Sequence, residues 1–162
     1  TLVLPDQLLD YTYGREHTYF DGNGEPLQHV DFTNPYSDSL RSAFKAAALD
    51  ANIPLVDRGC YGVTQGPRLE TKAEIDRLER DGCELVGMTG MPEAALAREL
   101  GMQYVCIALG VNMAAGRGST GIHEEMEAYL SLSMERLGEL LKAVLPAVCA
   151  IGRGGAESSP EG

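Results

Sequence analysis

Short, uninterrupted apolar runs alternate with amphipathic helical stretches, and this alternation restricts the fold more than any other feature of the chain. Val56 to Val63, Glu84-Leu85-Val86-Gly87-Met88 and Gln103 to Leu109 read as strands, the last two with the apolar character of buried ones. Between and around them, Ser37 to Asp50, Thr71 to Arg80 and Glu93 to Leu100 read as helices. In the first, Leu40, Ala43, Phe44, Ala47 and Ala48 recur at helical spacing behind Ser37 or Ser39 as cap. In the second, Ile75 and Leu78 share one face, while Glu74, Asp76, Arg77 and Glu79 face water. Pro92 opens the third and Gly101 stops it. A last helix is expected from about His123 to Leu145, ending before Pro146. The stretch before Asp31 reads as strand and loop, with Asp21-Gly22-Asn23-Gly24-Glu25-Pro26 as a dense turn signal.

The pattern implies an α/β domain over residues 1–150, with a mixed, largely parallel central sheet flanked by helices, and a disordered tail over 151–162. In such sheets ligands bind outside the carboxyl ends of the strands. That rule selects Gly66 to Glu70, Met88 to Pro92 and Gly110 to Ala114. None is rich enough in Gly to form a dinucleotide or Walker loop, so no such cofactor is expected.

Charge narrows the partners. Of the 162 residues, 24 are Asp or Glu and 13 are Lys or Arg, a net charge of -11 that argues against nucleic acid and anionic membrane surfaces. The sequence has no run long and apolar enough to span a bilayer. Cys60, Cys83, Cys106 and Cys149 are widely spaced, without a C-x-x-C or a nearby His pair. They read as reduced, mostly buried thiols of a cytoplasmic protein, with neither a disulfide framework nor a metal site. The opening Thr1-Leu2-Val3-Leu4-Pro5 lacks the features of a signal peptide and reads as the end of a strand that begins elsewhere.

Two segments at the selected strand ends carry a resemblance. Thr64-Gln65-Gly66-Pro67-Arg68-Leu69-Glu70-Thr71, followed by Ala73-Glu74, resembles a conserved-looking segment of the trimeric purine nucleoside phosphorylases and methylthioadenosine phosphorylases. Gly87-Met88-Thr89-Gly90-Met91-Pro92-Glu93 resembles their second such segment, at the family's spacing. The stretches Gly14 to Phe20, Thr64 to Thr71 and Val86 to Leu100 are most similar to the bacterial S-methyl-5'-thioinosine phosphorylase branch, which acts on 6-oxopurines. The resemblance covers Thr1 to Pro146.

What it implies is phosphorolysis, in which inorganic phosphate attacks C1' of a purine nucleoside and the base departs. Asn112 is implied as the catalytic residue, its amide offering oxygen to a protonated N7 and NH2 to O6. A carboxylate there would oppose O6 as acceptor to acceptor, so Asn112 favours hypoxanthine or guanine. Glu70 is implied to accept the N1–H that 6-oxopurines carry, helped by the dipole of the Thr71 helix. Leu69 stands where the family often stacks a Phe on the purine. Met88 is implied to pack on the ribose and Thr89 to bind phosphate, with loop amides facing the anion. His29 matches a residue that reaches a neighbouring subunit's 5' pocket, which implies a homo-oligomer, a trimer or a dimer of trimers. His123 and Met126 both fall where the family contacts the 5' group, leaving hydroxyl and methylthio open.

Each residue also has an ordinary reading. Asn112 suits a loop after a strand, Glu70 a helix first turn, Met88 a core, and His29 a solvated loop. No cofactor is implied beyond phosphate as co-substrate, and no metal. The family's Gly-rich phosphate loop, its Arg-His phosphate pair and a further base-contacting segment would precede Thr1. The chain is therefore expected to be the carboxyl two-thirds of such an enzyme, inactive alone. Two other readings stay open: a methylthioadenosine phosphorylase that tolerates Asn112, and a non-catalytic nucleobase-binding fragment.

Overall fold

Pro5 has no N–H to give a ladder, and the first extended segment divides around it. The computed structural model describes residues 1–22, 24–118 and 122–156, with side chains throughout these except at 122–128 and 152–156. Its first strands are β1 (Leu2–Val3) and β2 (Gln7–Asp10), and their partners are β3 (Leu55–Val56) and β4 (Cys60–Val63). Leu2 faces Leu55 and Gln7 faces Cys60, both in parallel, so the register is the same on either side of the break. Two bonds bridge it, Leu4 N–H to Val56 O at 2.7 Å and Asp6 N–H to Gly59 O at 3.2 Å.

A buried Arg41 satisfies the carbonyls that the broken ladder leaves over. Its guanidinium donates to Leu4 O at 2.9 Å, to Pro5 O, and to Asp57 O at 2.6 Å. Arg41 comes from α1 (Asp38–Asp50), whose N-cap Ser37 accepts the Leu40 N–H. One side chain thus fastens this helix to both halves of the strand pair.

The remaining elements are α2 (Lys72–Arg80), β5 (Leu85–Gly87), α3 (Glu93–Glu99), β6 (Ala108–Leu109) and α4 (Ile122–Ala156). The strands form two three-stranded sheets, β3-β1-β6 and β2-β4-β5. All pairs are parallel except β1 with β6. The mixed, largely parallel α/β arrangement is as the alternation implied, but the single central sheet is divided. The strand expected over Val56 to Val63 is interrupted, and that over Gln103 to Leu109 pairs only at its end.

Two apolar clusters hold the layers. Leu2, Leu4, Phe44, Ala48, Ile53, Leu140 and Val144 join β1 to α1 and α4. Tyr61, Val63, Met91 and Ala94, with Leu8, Phe32 and Leu85, cover the parallel sheet. Pro146 does not end α4, which continues to Ala156. The apolar stripe explains the correction: Leu137, Leu140 and Val144 are followed at helical spacing by Val148, which packs on the same cluster beyond the proline. Residues 152–156 lie in this helix, and 157–162 of the expected tail fall outside the described residues.

Candidate active site

The carboxyl ends of β2, β4 and β5 lie side by side because all three strands are parallel. The chain leaving β4 and the start of α2 enclose a cleft of about 230 Å³, with Tyr11, Tyr13, Thr64, Gln65, Arg68 and Glu70 among its walls. The start of α2 at this cleft is closed by a capping box: Thr71 Oγ1 accepts the Glu74 N–H at 3.2 Å, and Glu74 Oε2 accepts the Thr71 N–H at 2.7 Å. Arg68 adds a two-pronged ion pair to Glu74, both contacts at 2.8 Å. Arg68 and the Thr71 amide hold the Glu74 carboxyl down at about 2, against an ordinary value of 4.5.

A depressed carboxyl pKa stabilises the fold only while the group is ionised. The contribution of Glu74 is therefore complete above about pH 4.5 and is lost as pH falls toward about 2. Urea unfolding followed over that range should show the wild type losing more stability than Glu74→Gln, and parallel curves for the two would disprove the link.

Glu70 precedes the N-cap, so it is not the first-turn residue that the sequence implied. Its position is set by Thr64, whose hydroxyl donates to Glu70 Oε1 at 2.6 Å. That length suits a charge-assisted bond, about 2.5–2.7 Å. The carboxylate keeps further lone pairs with which to accept. Gly66 brings the next loop close. It has φ +63°, and a Cβ there would lie 2.4 Å from Met88 Sδ. Met88 thus packs half-buried over the turn that leads to Glu70, while Leu69 is 44% exposed beside it.

Thr89 follows β5 on the second loop, and its amide donates to the Tyr61 hydroxyl at 3.3 Å. Tyr61 Oη and Thr89 Oγ1 lie 3.4 Å apart. The buried Tyr61 ring sits directly against the loop: a Cβ on Gly90, where φ is +95°, would approach its Cε1 to 3.1 Å. The Thr89 side chain itself is exposed.

Asn112 lies just past β6, and its amide donates to Met113 O at 2.9 Å. Its loop is drawn against α2 by Arg117, which binds Asp76 at 2.8 Å and Glu79 at 2.6 Å. The loop bearing Asn112 and the helix that follows Glu70 are thereby fastened together. His29 is exposed in the connection between β2 and α1. His123 and Met126 fall in the first turns of α4, where the side chains lie outside the described ones. Of the residues singled out from the sequence, Glu70 lines the cleft; Leu69 precedes it in the same loop, Met88 and Thr89 lie on the loop after β5, and Asn112 is not among the lining residues.

Two residues had no assigned part. Arg15, in the Gly14 to Phe20 stretch, reaches both loops with its guanidinium. Tyr61 supports Thr89 from below, a pairing visible only once β4 and β5 are in register. The thiols are free, with Cys60, Cys83 and Cys106 half-buried and Cys149 exposed, less enclosed than expected. Burial pushes Cys60 and Cys106 up to about 11. Among the described residues no three His, Cys, Asp or Glu side chains stand together as metal ligands would.

The architecture and the matched sequence agree on a family. The phosphorylase superfamily model matches residues 1–146. The chain belongs to the phosphorylase superfamily. Among its relatives, a Xylella fastidiosa (strain Temecula1) protein described as a probable S-methyl-5'-thioinosine phosphorylase is 63% identical over 118 residues, covering 73% of this chain and 48% of that protein. The 6-oxopurine nucleoside phosphorylase of Pyrococcus furiosus is 40% identical over 152 residues, covering 90% and 57%. This member of the superfamily thus spans about half the length of the relatives it matches. Methylthioadenosine phosphorylase from Schistosoma mansoni in complex with adenine superimposes with a TM-score of 0.82 at 24% identity, over 93% of this chain and 59% of that one, which shows a shared fold.

Proposed function

We propose that the chain forms the base-recognising part of a phosphorylase that cleaves 6-oxopurine nucleosides, S-methyl-5'-thioinosine or inosine and guanosine, in purine salvage. The observation that carries this is Glu70: a carboxylate at the wall of the cleft, held by Thr64 at the carboxyl end of a parallel strand in a superfamily member. The names of its relatives support the same base class.

In this reading a phosphate oxygen forms a bond to C1' as the C1'–N9 bond breaks. The purine keeps the electron pair and takes a proton, so the proton of hydrogen phosphate ends on the base. Glu70 accepts N1–H and Asn112 accepts the N7 proton while donating to O6, stabilising the charge that the leaving purine gains. Met88 packs on the ribose and Thr89 donates to phosphate. With a net charge of -11, the attraction for phosphate must be local rather than a property of the whole surface. Phosphate is the co-substrate, and the reading needs no further cofactor.

A cytoplasmic location accords with the four free thiols. A homo-oligomer, a trimer or dimer of trimers, accords with the exposed Tyr129, Leu132 and Met134 on α4.

The test uses the polypeptide as its gene encodes it, assayed on methylthioinosine, inosine and methylthioadenosine with and without phosphate. Phosphate-dependent release of hypoxanthine, with methylthioadenosine a poor substrate, is the expected result. Release of adenine at equal or greater rate would replace this reading with a methylthioadenosine phosphorylase. Hypoxanthine binding without turnover would replace it with a binding protein. Asn112→Asp should shift the preference toward 6-aminopurines by about tenfold or more, as removing a matched polar contact does. An unchanged preference would remove Asn112 from base recognition.

A further inference from the structure

Arg15 lies in the loop after β2, outside both segments that carry the family resemblance to substrate contacts, and its half-buried guanidinium spends its donors on backbone. Nη2 donates to Gln65 O at 3.0 Å, to Met88 O at 3.1 Å and, at 3.4 Å, to Thr64 O. Nη1 donates to Met91 O, and Nε to Gln65 Oε1 at 3.2 Å. Gln65 Oε1 also accepts the Tyr13 N–H at 3.1 Å, which fixes the acceptor that Nε uses. Every one of these partners is an uncharged oxygen, so the fork is placed for geometry and not for charge pairing.

Its partners belong to two loops that leave the paired ends of β4 and β5, where the Thr64 N–H donates to Gly87 O at 2.8 Å, and that diverge beyond that bond. Thr64 and Gln65 begin the loop that ends at Glu70, and Met88 and Met91 bracket Thr89. We propose that Arg15 is a positioning residue that sets the base-side loop against the phosphate-side loop, so that one side chain governs the alignment of both substrates. This rests on the functional reading above for what the two loops bind. A planar fork can span carbonyls on two chains, whereas a lysine ammonium offers its donors from a single point. Misplacement by about 1 Å can cost on the order of 10²-fold in rate.

The experiment compares Arg15→Ala and Arg15→Lys with Glu70→Gln and Thr89→Ala in the polypeptide as its gene encodes it. In both Arg15 variants KM for nucleoside and KM for phosphate should rise together and kcat/KM should fall by about tenfold to 10²-fold. Of the two KM values, Glu70→Gln should raise only that for nucleoside, alongside its fall in kcat, and Thr89→Ala only that for phosphate. Guanidinium ion at non-denaturing concentration should restore part of the activity of Arg15→Ala and none to Arg15→Lys. Unchanged KM values in either Arg15 variant, full activity with Lys, or a rise in only one KM would overturn the proposal. Hydrogen exchange gives a readout free of activity: amides of residues 64–70 and 88–91 should exchange faster together in Arg15→Lys, and unchanged exchange counts against it. A wild-type protein without phosphate-dependent turnover would defeat the functional reading alone, and exchange would still decide whether Arg15 couples the loops.

Discussion

Glu70→Ala is expected to lower kcat/KM for a 6-oxopurine nucleoside by about 10²- to 10³-fold, the range seen when one polar group aimed at developing charge is removed. The loss should be selective. A 6-oxopurine presents N1–H to the carboxylate, whereas a 6-aminopurine presents an acceptor that the carboxylate repels. Cleavage of methylthioadenosine should therefore change little or improve, while methylthioinosine cleavage falls. Glu70→Gln retains an amide oxygen as acceptor and should lie between alanine and wild type. Thr64→Val provides a control for placement, because it removes the 2.6 Å bond to Glu70 Oε1 without removing the carboxylate. Steady-state kinetics on both nucleosides would check this. Equal losses on the two bases would mean that Glu70 supports the fold of the cleft and does not read the purine.

The second large effect concerns stability. Leu140 is fully buried in the cluster that joins α4 to α1 and β1, against Leu2, Leu4, Phe44 and Val144. Leu140→Ala should lower the unfolding free energy by about 2–5 kcal/mol, the sum of lost apolar transfer and a cavity that its neighbours cannot fill. Leu145, five residues on and so turned away from that face, is 53% exposed, and its replacement by Ala should move stability by no more than about 0.5 kcal/mol. Chemical denaturation of the two variants checks both numbers at once. Equal effects would mean that α4 does not pack through the face described.

These two cases mark where sequence alone was and was not informative. Ser37 was readable as a helix cap because capping is local: its hydroxyl bonds an amide three residues on. Ile75 and Leu78 were readable as the inner face of α2 because the period of a helix decides which side is covered. Pro146 was misleading for the opposite reason. Proline removes a local bond, but Val148 beyond it packs on a cluster built from residues far away in sequence, and that packing carries the helix on.

The site divides along the same line. Glu70, Met88 and Thr89 could be named in advance, since they follow strands whose carboxyl ends face one way in any parallel sheet. Their partners could not. Tyr61 under Thr89 and Met88 over Gly66 are pairings between neighbouring strand ends, fixed by register, and Thr64 meets Glu70 only through the way a single loop folds back. Arg15 had no local signal at all, because its value lies in carbonyls from two loops that meet only when β4 and β5 are paired.

The sequence by itself determined the α/β class, the helices and the strand ends where chemistry is to be sought, because periodicity, capping and chain direction are properties of a few consecutive residues. Only the tertiary structure decided that the sheet breaks at Pro5 around Arg41, that the Thr89 amide is already engaged by Tyr61, and that Arg15 fastens two loops. Each of those depends on a donor and an acceptor brought together from distant parts of the chain, and distance in sequence carries no record of which will meet.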